Sequence, residues 1–115
     1  MAQTGWKLVG YCPVDSGQLM VSDPCYLNDW KDNDFTGDDE GKNDFSYSSA
    51  CSVTLRNKAG QLVNSHNQPI SVVTETTYGD GMFPVYVLFE NGQPQEIRVL
   101  MNGNKLTQNG ETMFY

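Results

Sequence analysis

The sequence is poor in basic residues and contains a single histidine. Seven Lys and Arg stand against fourteen Asp and Glu, so the formal net charge is −7. A field of this sign repels phosphate backbones and anionic lipid, which argues against direct binding to nucleic acid or membranes. It favours a protein partner with a basic surface. An acidic surface also serves solubility alone, and the charge by itself does not separate these two interpretations.

The chain also lacks long apolar runs and paired cysteine spacing. No apolar run approaches the roughly 20 residues that a membrane span requires. The first ten residues show neither the charged lead nor the apolar stretch of a signal peptide. Cys12, Cys25 and Cys51 are odd in number and include no CxxC pair. We therefore expect a cytoplasmic protein with free thiols.

Sequence signatures of known catalytic sites are missing as well. The chain contains no GxSxG, HExxH, P-loop or Rossmann fingerprint, so we expect no cofactor. Cys25 follows a helix-start signal, where a thiol can become a nucleophile. It would need His66 to approach it in space to form a catalytic pair. The sequence favours a non-enzymatic protein, with a metal- or thiol-dependent enzyme using Asp15, Asp23, Asp80 or Cys25 as an alternative.

What the sequence does contain is a series of short strand patterns separated by turn signals. Asn-Gly pairs at residues 91–92, 102–103 and 109–110 are typical of tight hairpin turns. Turns every eight to twelve residues indicate an antiparallel meander that closes as a sandwich or barrel. We therefore predict one mostly β domain over residues 1–115. The predicted strands are residues 6–12, 18–22, 45–56, 61–64, 70–76, 82–90, 95–101, 105–107 and 111–115.

Some of these elements carry more specific predictions. Residues 45–56 show the clearest alternation of the chain and are predicted to be a strand. Pro13 is expected to end the first strand, which would form a hairpin with residues 18–22. Pro84 favours an edge position or a bulge for its strand. Asp23-Pro24 is a helix-start signal and predicts the one short helix, residues 24–30.

Two polar turns are candidates for a ligand site. Residues 14–27, VDSGQLMVSDPCYL, hold one turn at Asp15-Ser16-Gly17, and Gly79-Asp80-Gly81 is the second. If the turns abut, their backbone N–H groups could hold the phosphate of a nucleotide signal. The alternative is that each aspartate organises only its own turn or cap. The candidate ligand-binding residues are Asp15, Ser16, Asp23, Cys25 and Asp80.

Residues 29–44, DWKDNDFTGDDEGKND, contain half of the acidic residues and form the acidic loop. Asp32, Asp34 and Thr36 match the first, third and fifth positions of an EF-hand loop. Asn43 stands at the twelfth position, where an EF-hand has glutamate. We therefore favour an exposed acidic loop over a divalent-ion site, and no metal ligands are assigned.

A flexible acidic loop can pair with Arg or Lys on a partner, while nearby aromatic residues supply apolar anchors. This is the leading functional hypothesis, and binding of a small molecule is its first alternative. The candidate partner-binding residues are Tyr26, Trp30, Asp32, Asp34, Phe35, Asp38, Asp39 and Glu40.

The segments VDSGQ, DPCY and GDGMFPVYV resemble a family of uncharacterised small proteins of phages and bacteria. The family shares VDSGQ…DPCY and GDGxxPVY motifs, and the likeness covers roughly residues 6–99. The resemblance implies a stand-alone cytoplasmic domain, in the host cytoplasm if phage-encoded, and transfers no functional residue. By analogy, small acidic phage proteins often act on host proteins. This favours an inhibitor of a host defence or nucleic-acid-processing protein.

Overall fold

The computed structural model describes residues 2–37 and 42–113. The chain divides into two compact units. We call Gln18–Glu75 the central unit, and Met1–Gly17 with Thr76–Tyr115 the terminal unit. Each unit has its own three-stranded antiparallel sheet, and within the described ranges neither sheet closes into a barrel. The predicted mostly β class is confirmed, whereas one domain over the whole chain stays a prediction.

The elements follow one another as eight strands, a short 3-10 helix (Pro24–Asp29) and one α-helix, α1 (Tyr47–Asn57). Both helices lie between the second and third strands. The strands are β1 (Gly5–Val14), β2 (Gln18–Ser22), β3 (Ala59–Val63), β4 (Pro69–Glu75), β5 (Gly81–Glu90), β6 (Gln93–Val99), β7 (Lys105–Leu106) and β8 (Thr112–Met113).

In the terminal unit the sheet order is β1-β5-β6. Asn91 and Gly92 both adopt positive φ in the turn between β5 and β6, as an Asn-Gly hairpin requires. Trp6, Tyr86 and Leu106 form the buried cluster of this unit. The predicted hairpin between the strands at residues 82–90 and 95–101 is therefore confirmed, with boundaries moved by one or two residues.

The structure corrects what was predicted for two prolines in this unit. Pro13 does not end the first strand, because β1 runs on to Val14 and Pro13 lies opposite Met82. A proline is tolerated there because β1 is an edge strand.

The edge position predicted for Pro84 is wrong, because Pro84 lies in the central strand β5. The alternative prediction, a bulge, agrees with the ladder of β5 with β1, whose register shifts between Leu8 and Gly10, opposite Tyr86 and Val85. Pro84 stands just beyond Val85, which is where the ladder with β6 ends.

The predicted hairpin of the first two strands is also wrong. β1 pairs with β5, whereas β2 pairs with β4 in the other sheet. The turn at Asp15-Ser16-Gly17 therefore leads from one unit into the other. Local turn signals do not specify which strand a segment pairs with, since that choice depends on residues distant in sequence.

In the central unit the sheet order is β2-β4-β3, and α1 packs against this sheet. Leu62 and Val73 are fully buried in its core. The helix and the sheet approach so closely that a Cβ at Gly60 would lie 2.7 Å from Cγ1 of Val53. The core of this unit consists of Phe45, Ala50, Val53, Leu62 and Val73.

The strand predicted at residues 45–56 is wrong, because this segment forms α1. Ser49 to Thr54 are all buried, which a strand with one solvated face would not show. Ser46 is the N-cap, and its hydroxyl oxygen accepts a hydrogen bond from the backbone N–H of Ser49 at 3.1 Å. Residues 48–52 are all small and allow close packing against the sheet. Larger side chains alternate with small ones only at the two ends of the segment, residues 45–48 and 52–55, and this produced the strand pattern.

The short helix predicted at residues 24–30 is found as the 3-10 helix Pro24–Asp29. The backbone N–H of Cys25 donates to Oδ1 of Asp23 at 2.9 Å, so Asp23 is its N-cap. The Asp-Pro signal thus located the element correctly, although the hydrogen bonding is 3-10 rather than α.

None of the helices in the described ranges is long and apolar enough to cross a membrane.

Replacement of Leu62 by alanine should lower the free energy of unfolding by about 2 to 5 kcal/mol, because it leaves a cavity in the core. Leu27→Ala is the matched control, since that side chain is 60% exposed and should change stability by less than about 0.5 kcal/mol. Urea unfolding followed by circular dichroism measures both. Equal losses in the two variants would contradict the placement of the core.

Candidate functional site

The two ends of the acidic loop are joined at its base. The backbone N–H of Lys31 donates to the carbonyl of Phe45 at 3.0 Å. The N–H of Tyr47 donates to the carbonyl of Lys31 at 2.9 Å, and Lys31 forms a parallel bridge with Ser46. The loop therefore leaves and rejoins the central unit at one point, next to the start of α1.

Aromatic packing fixes the same base. The rings of Trp30 and Phe45 meet edge to face, with centroids 5.0 Å apart. Trp30 is half-buried against the core of the central unit. Of the predicted apolar anchors, Tyr26 is the most exposed and Phe35 is half-buried. Trp30 thus contributes to the base of the loop, and Tyr26 is the aromatic side chain best placed to meet a partner.

Two asparagine side chains hold the flanks of the loop. Oδ1 of Asn33 accepts the N–H of Ser48 at 2.9 Å. The Asn43 amide donates to the Gln61 carbonyl and accepts from the Val63 N–H, both at 2.9 Å. Asn43 therefore occupies the free edge of β3 as a neighbouring strand would. The sequence gives no signal for these contacts, because they join residues that are far apart in the chain.

Asp44 connects the loop to the cap of α1. Its Oδ1 accepts hydrogen bonds from the hydroxyls of Ser46 at 2.5 Å and Ser49 at 2.6 Å. Its Oδ2 lies 3.4 Å from Nζ of Lys31. Burial raises the pKa of Asp44, but the bonds from Ser46 and Ser49 and the charge of Lys31 outweigh it. The net pKa lies below its ordinary value, so this carboxylate is ionised at neutral pH.

The remaining described carboxylates of the loop face solvent. Asp29, Asp32 and Asp34 are all exposed. Asp38, Asp39 and Glu40, which were also predicted to bind a partner, lie outside the described residues. Across residues 2–37 and 42–113, no group of three or more His, Cys, Asp or Glu is placed to hold a metal ion.

A polar groove of about 400 Å³ lies beside the base of the loop. Tyr26 and Asp29 from the 3-10 helix line it, together with the turn after β3 that carries the only histidine, His66. Cys25 is exposed but does not line the groove. Of the residues that line this groove, only Tyr26 was among the candidate site residues predicted from the sequence. The lining residues are Tyr26, Asp29, Lys31, Asp44, Phe45, Asn64, Ser65, His66 and Ile70.

In the terminal unit the two polar turns meet, a question that the sequence left open. Oδ1 of Asp80 accepts the backbone N–H of Gly17 at 2.8 Å, and the Gly17 carbonyl accepts the N–H of Thr76 at 3.0 Å. Gly17 has φ +70°, a conformation that favours glycine. The Gly17 N–H thus already donates its hydrogen bond to Asp80, whereas a phosphate bound at this turn would need the same N–H. Asp15 and Ser16 are exposed beside it.

Asp23 and Cys25 belong to the central unit, where Asp23 caps the 3-10 helix. Asp23 and Asp80 therefore both have a structural partner. A ligand-binding role for Asp15, Ser16, Asp23, Cys25 and Asp80 stays a prediction.

A second groove, of about 280 Å³, lies in the terminal unit. Three tyrosines, Tyr11, Tyr78 and Tyr86, line it together with Met82 and Pro84. Tyr11, Tyr78 and Met82 are exposed to solvent. The sequence did not indicate this groove, since its walls come from β1, β5 and the segment after β6.

Comparison with models of known protein families, with curated proteins and with solved structures found no match for this chain.

Replacing Asp44 by asparagine should lower the free energy of unfolding at pH 7 by about 1 to 3 kcal/mol, the range for hydrogen bonds to a charged group. Because its pKa in the folded protein is lowered, this stabilisation is complete above the unfolded value near 3.8 and disappears as the pH falls through the folded value. The variant and the parent should therefore converge in stability as the pH falls through the lowered pKa of Asp44.

Urea unfolding between pH 2 and pH 7 measures this difference. Asp34→Asn is the control, since an exposed carboxylate should show little change at any pH. A loss in Asp44→Asn that is the same at pH 2 and pH 7 would contradict an ionised Asp44 as its cause.

Proposed function

We propose that this protein is a non-enzymatic binding protein that docks its acidic loop on a basic surface of a partner protein. The observation that carries the proposal is that the acidic loop has a base held by hydrogen bonds and carboxylates exposed to solvent. The chain is closed at Lys31 and Phe45, while Asp29, Asp32 and Asp34 face solvent.

A fixed base favours binding because ordering a flexible loop on association costs free energy, and a loop with ordered ends has less of this cost. The bonds at Lys31, Asn33 and Asn43 order both flanks of the loop in the free protein. A partner therefore meets carboxylates on a segment whose two ends are already held. Functional segments on a rigid scaffold are a common arrangement in proteins.

The carboxylates divide into two groups by what they contact. Asp44 is engaged with Ser46, Ser49 and Lys31, so its charge serves the fold. Asp29, Asp32 and Asp34 are the described carboxylates available to Arg or Lys of a partner. Charge complementarity of this kind raises the association rate and selects the partner.

The partner class follows from the charge. A strongly acidic protein is repelled by nucleic acid and attracted to the basic grooves that bind nucleic acid. We propose a cytoplasmic nucleic-acid-processing or defence protein of the host as the target, and inhibition by occupation of its groove as the mechanism. The resemblance to small phage and bacterial proteins supports this choice.

An arginine-rich peptide is a defined probe for the loop. Titration into ¹⁵N-labelled protein should shift amide signals of residues 29–37 most. The variant Asp29→Asn/Asp32→Asn/Asp34→Asn should weaken binding about tenfold. Raising the salt concentration should weaken binding by the parent as well.

The matched control Asp15→Asn/Glu90→Gln/Glu111→Gln changes net charge equally, at exposed positions of the terminal unit. It should retain nearly full affinity for the peptide. Equal weakening in both variants, or binding that salt does not alter, would overturn the role of the loop. A pull-down from bacterial lysate tests the partner class. Proteins that bind the parent but not the variant of the acidic loop should be released when double-stranded DNA is added. Retention unaffected by DNA would contradict a nucleic-acid-processing target.

Binding of a small planar ligand is the second candidate function. The groove lined by Tyr11, Tyr78 and Tyr86 favours it, because aromatic rings stack on flat molecules such as nucleobases. Protein purified from its host should then carry a bound ligand in native mass spectrometry. Tyr11→Ala should lose that added mass while Tyr26→Ala, in the other unit, keeps it. A clean apo mass would count against this function.

A further inference from the structure

Strand β6 is an exposed edge of the sheet in the terminal unit. Among residues 2–37 and 42–113 its one strand partner is β5, and residues 93–98 are all exposed. Ile97 is 59% exposed, which is unusual for a large apolar side chain in the middle of a strand. An edge of this kind is a template for pairing with another strand.

The register shows which backbone groups of β6 face outward. Arg98 lies opposite Tyr86, and the N–H of Leu100 donates to the Pro84 carbonyl. In an antiparallel ladder, alternate residues direct their N–H and C=O to the same side. The backbone N–H and C=O groups of residues 96, 98 and 100 therefore point towards β5. Those of Ile97 and Val99 point away from it.

Two other edges of the sheets are covered. The amide of Asn43 binds both Gln61 and Val63 on β3. On β1, the N–H of Trp6 donates to the Gln108 carbonyl at 2.9 Å, and a bulge interrupts the strand after Leu8. Covering and bulging are the usual ways of blocking edge pairing. The bulge in β6 lies before Glu96, so the stretch from Glu96 to Val99 is regular.

The charges on this stretch are complementary to themselves. In an antiparallel pair of two β6 strands centred on Ile97, Glu96 of each copy lies opposite Arg98 of the other. Opposite charges at directly facing positions stabilise a strand pair. The two Ile97 side chains meet on the opposite face of the sheet. The stretch is therefore complementary to a second, antiparallel copy of itself. Such a pair has two-fold symmetry, as a homodimer does.

We propose that two copies of this chain form a dimer by antiparallel pairing of β6 about Ile97. The two three-stranded sheets then become one six-stranded sheet. The outward N–H and C=O groups of Ile97 exchange hydrogen bonds between the copies. Arg98 already lies 4.5 Å above the ring of Trp6, so Glu96 is the side chain that adjusts.

The net charge of −7 on each copy opposes this association, and screening at physiological salt reduces the repulsion. A contact of one short strand is small, so the dimer is weak and concentration-dependent. The inference does not rest on the acidic loop, because the loop and β6 belong to different units.

Sedimentation equilibrium at 0.15 M salt tests the dimer. The protein concentration should run from about 1 μM to about 1 mM, because dimers with small interfaces dissociate in this range. The parent protein should associate over this range. Glu96→Lys turns two attractive pairs into two repulsive ones and should raise the dissociation constant about tenfold. Ile97→Pro removes the outward N–H while leaving the ladder with β5 intact, and should abolish association.

Glu90→Lys is the matched control, because it makes the same charge change at an exposed position on β5, opposite Gln93 rather than Ile97. It should not weaken the dimer. Amide hydrogen exchange at Ile97 should slow as the protein concentration rises. A parent protein that is monomeric throughout the range overturns the proposal. So does a dimer that Glu96→Lys and Glu90→Lys affect equally.

Discussion

The Asp44 carboxylate is the point where the acidic loop, the helix cap and the core of the central unit meet. It binds the hydroxyls of Ser46 and Ser49 and pairs with Lys31 across the base of the loop. Because Ser46 begins α1, the same group orders the helix that covers the sheet. Loss of these bonds would release both the helix start and one end of the loop. These structural contacts are the reason why Asp44, unlike Asp29, Asp32 and Asp34, is not an exposed carboxylate of the loop.

The two surfaces proposed for interaction use different physics. The acidic loop presents side-chain charge, which acts over several ångströms and is screened by salt. The edge of β6 presents backbone groups, which act only at hydrogen-bond distance and need a matching strand. In the central unit the side chain of Asn43 covers the β3 edge, next to the loop. In the terminal unit the β6 edge is open. The two proposed interactions therefore use features of different units.

Local chemistry allowed much of the fold to be predicted. Asn91-Gly92, the Asp23-Pro24 cap and the exposure of Asp32 and Asp34 all follow from preferences within a few residues. The wrong prediction at residues 45–56 has an equally local cause. Small residues alternate with larger ones at the two ends of this segment, and alternation indicates a strand unless a cap is recognised. Ser46 is such a cap, but its role depends on Asp44 and on the sheet that buries it.

The sequence by itself determined the class of fold, the Asn91-Gly92 turn, the Asp23-Pro24 cap and the sign of the net charge, because each depends on composition or on neighbouring residues. Only the tertiary structure decided which strands pair, that Trp30 supports the loop, and that Asp80 closes on Gly17. These contacts join residues far apart in the chain, and their energies exist only when the packed sheet brings them together.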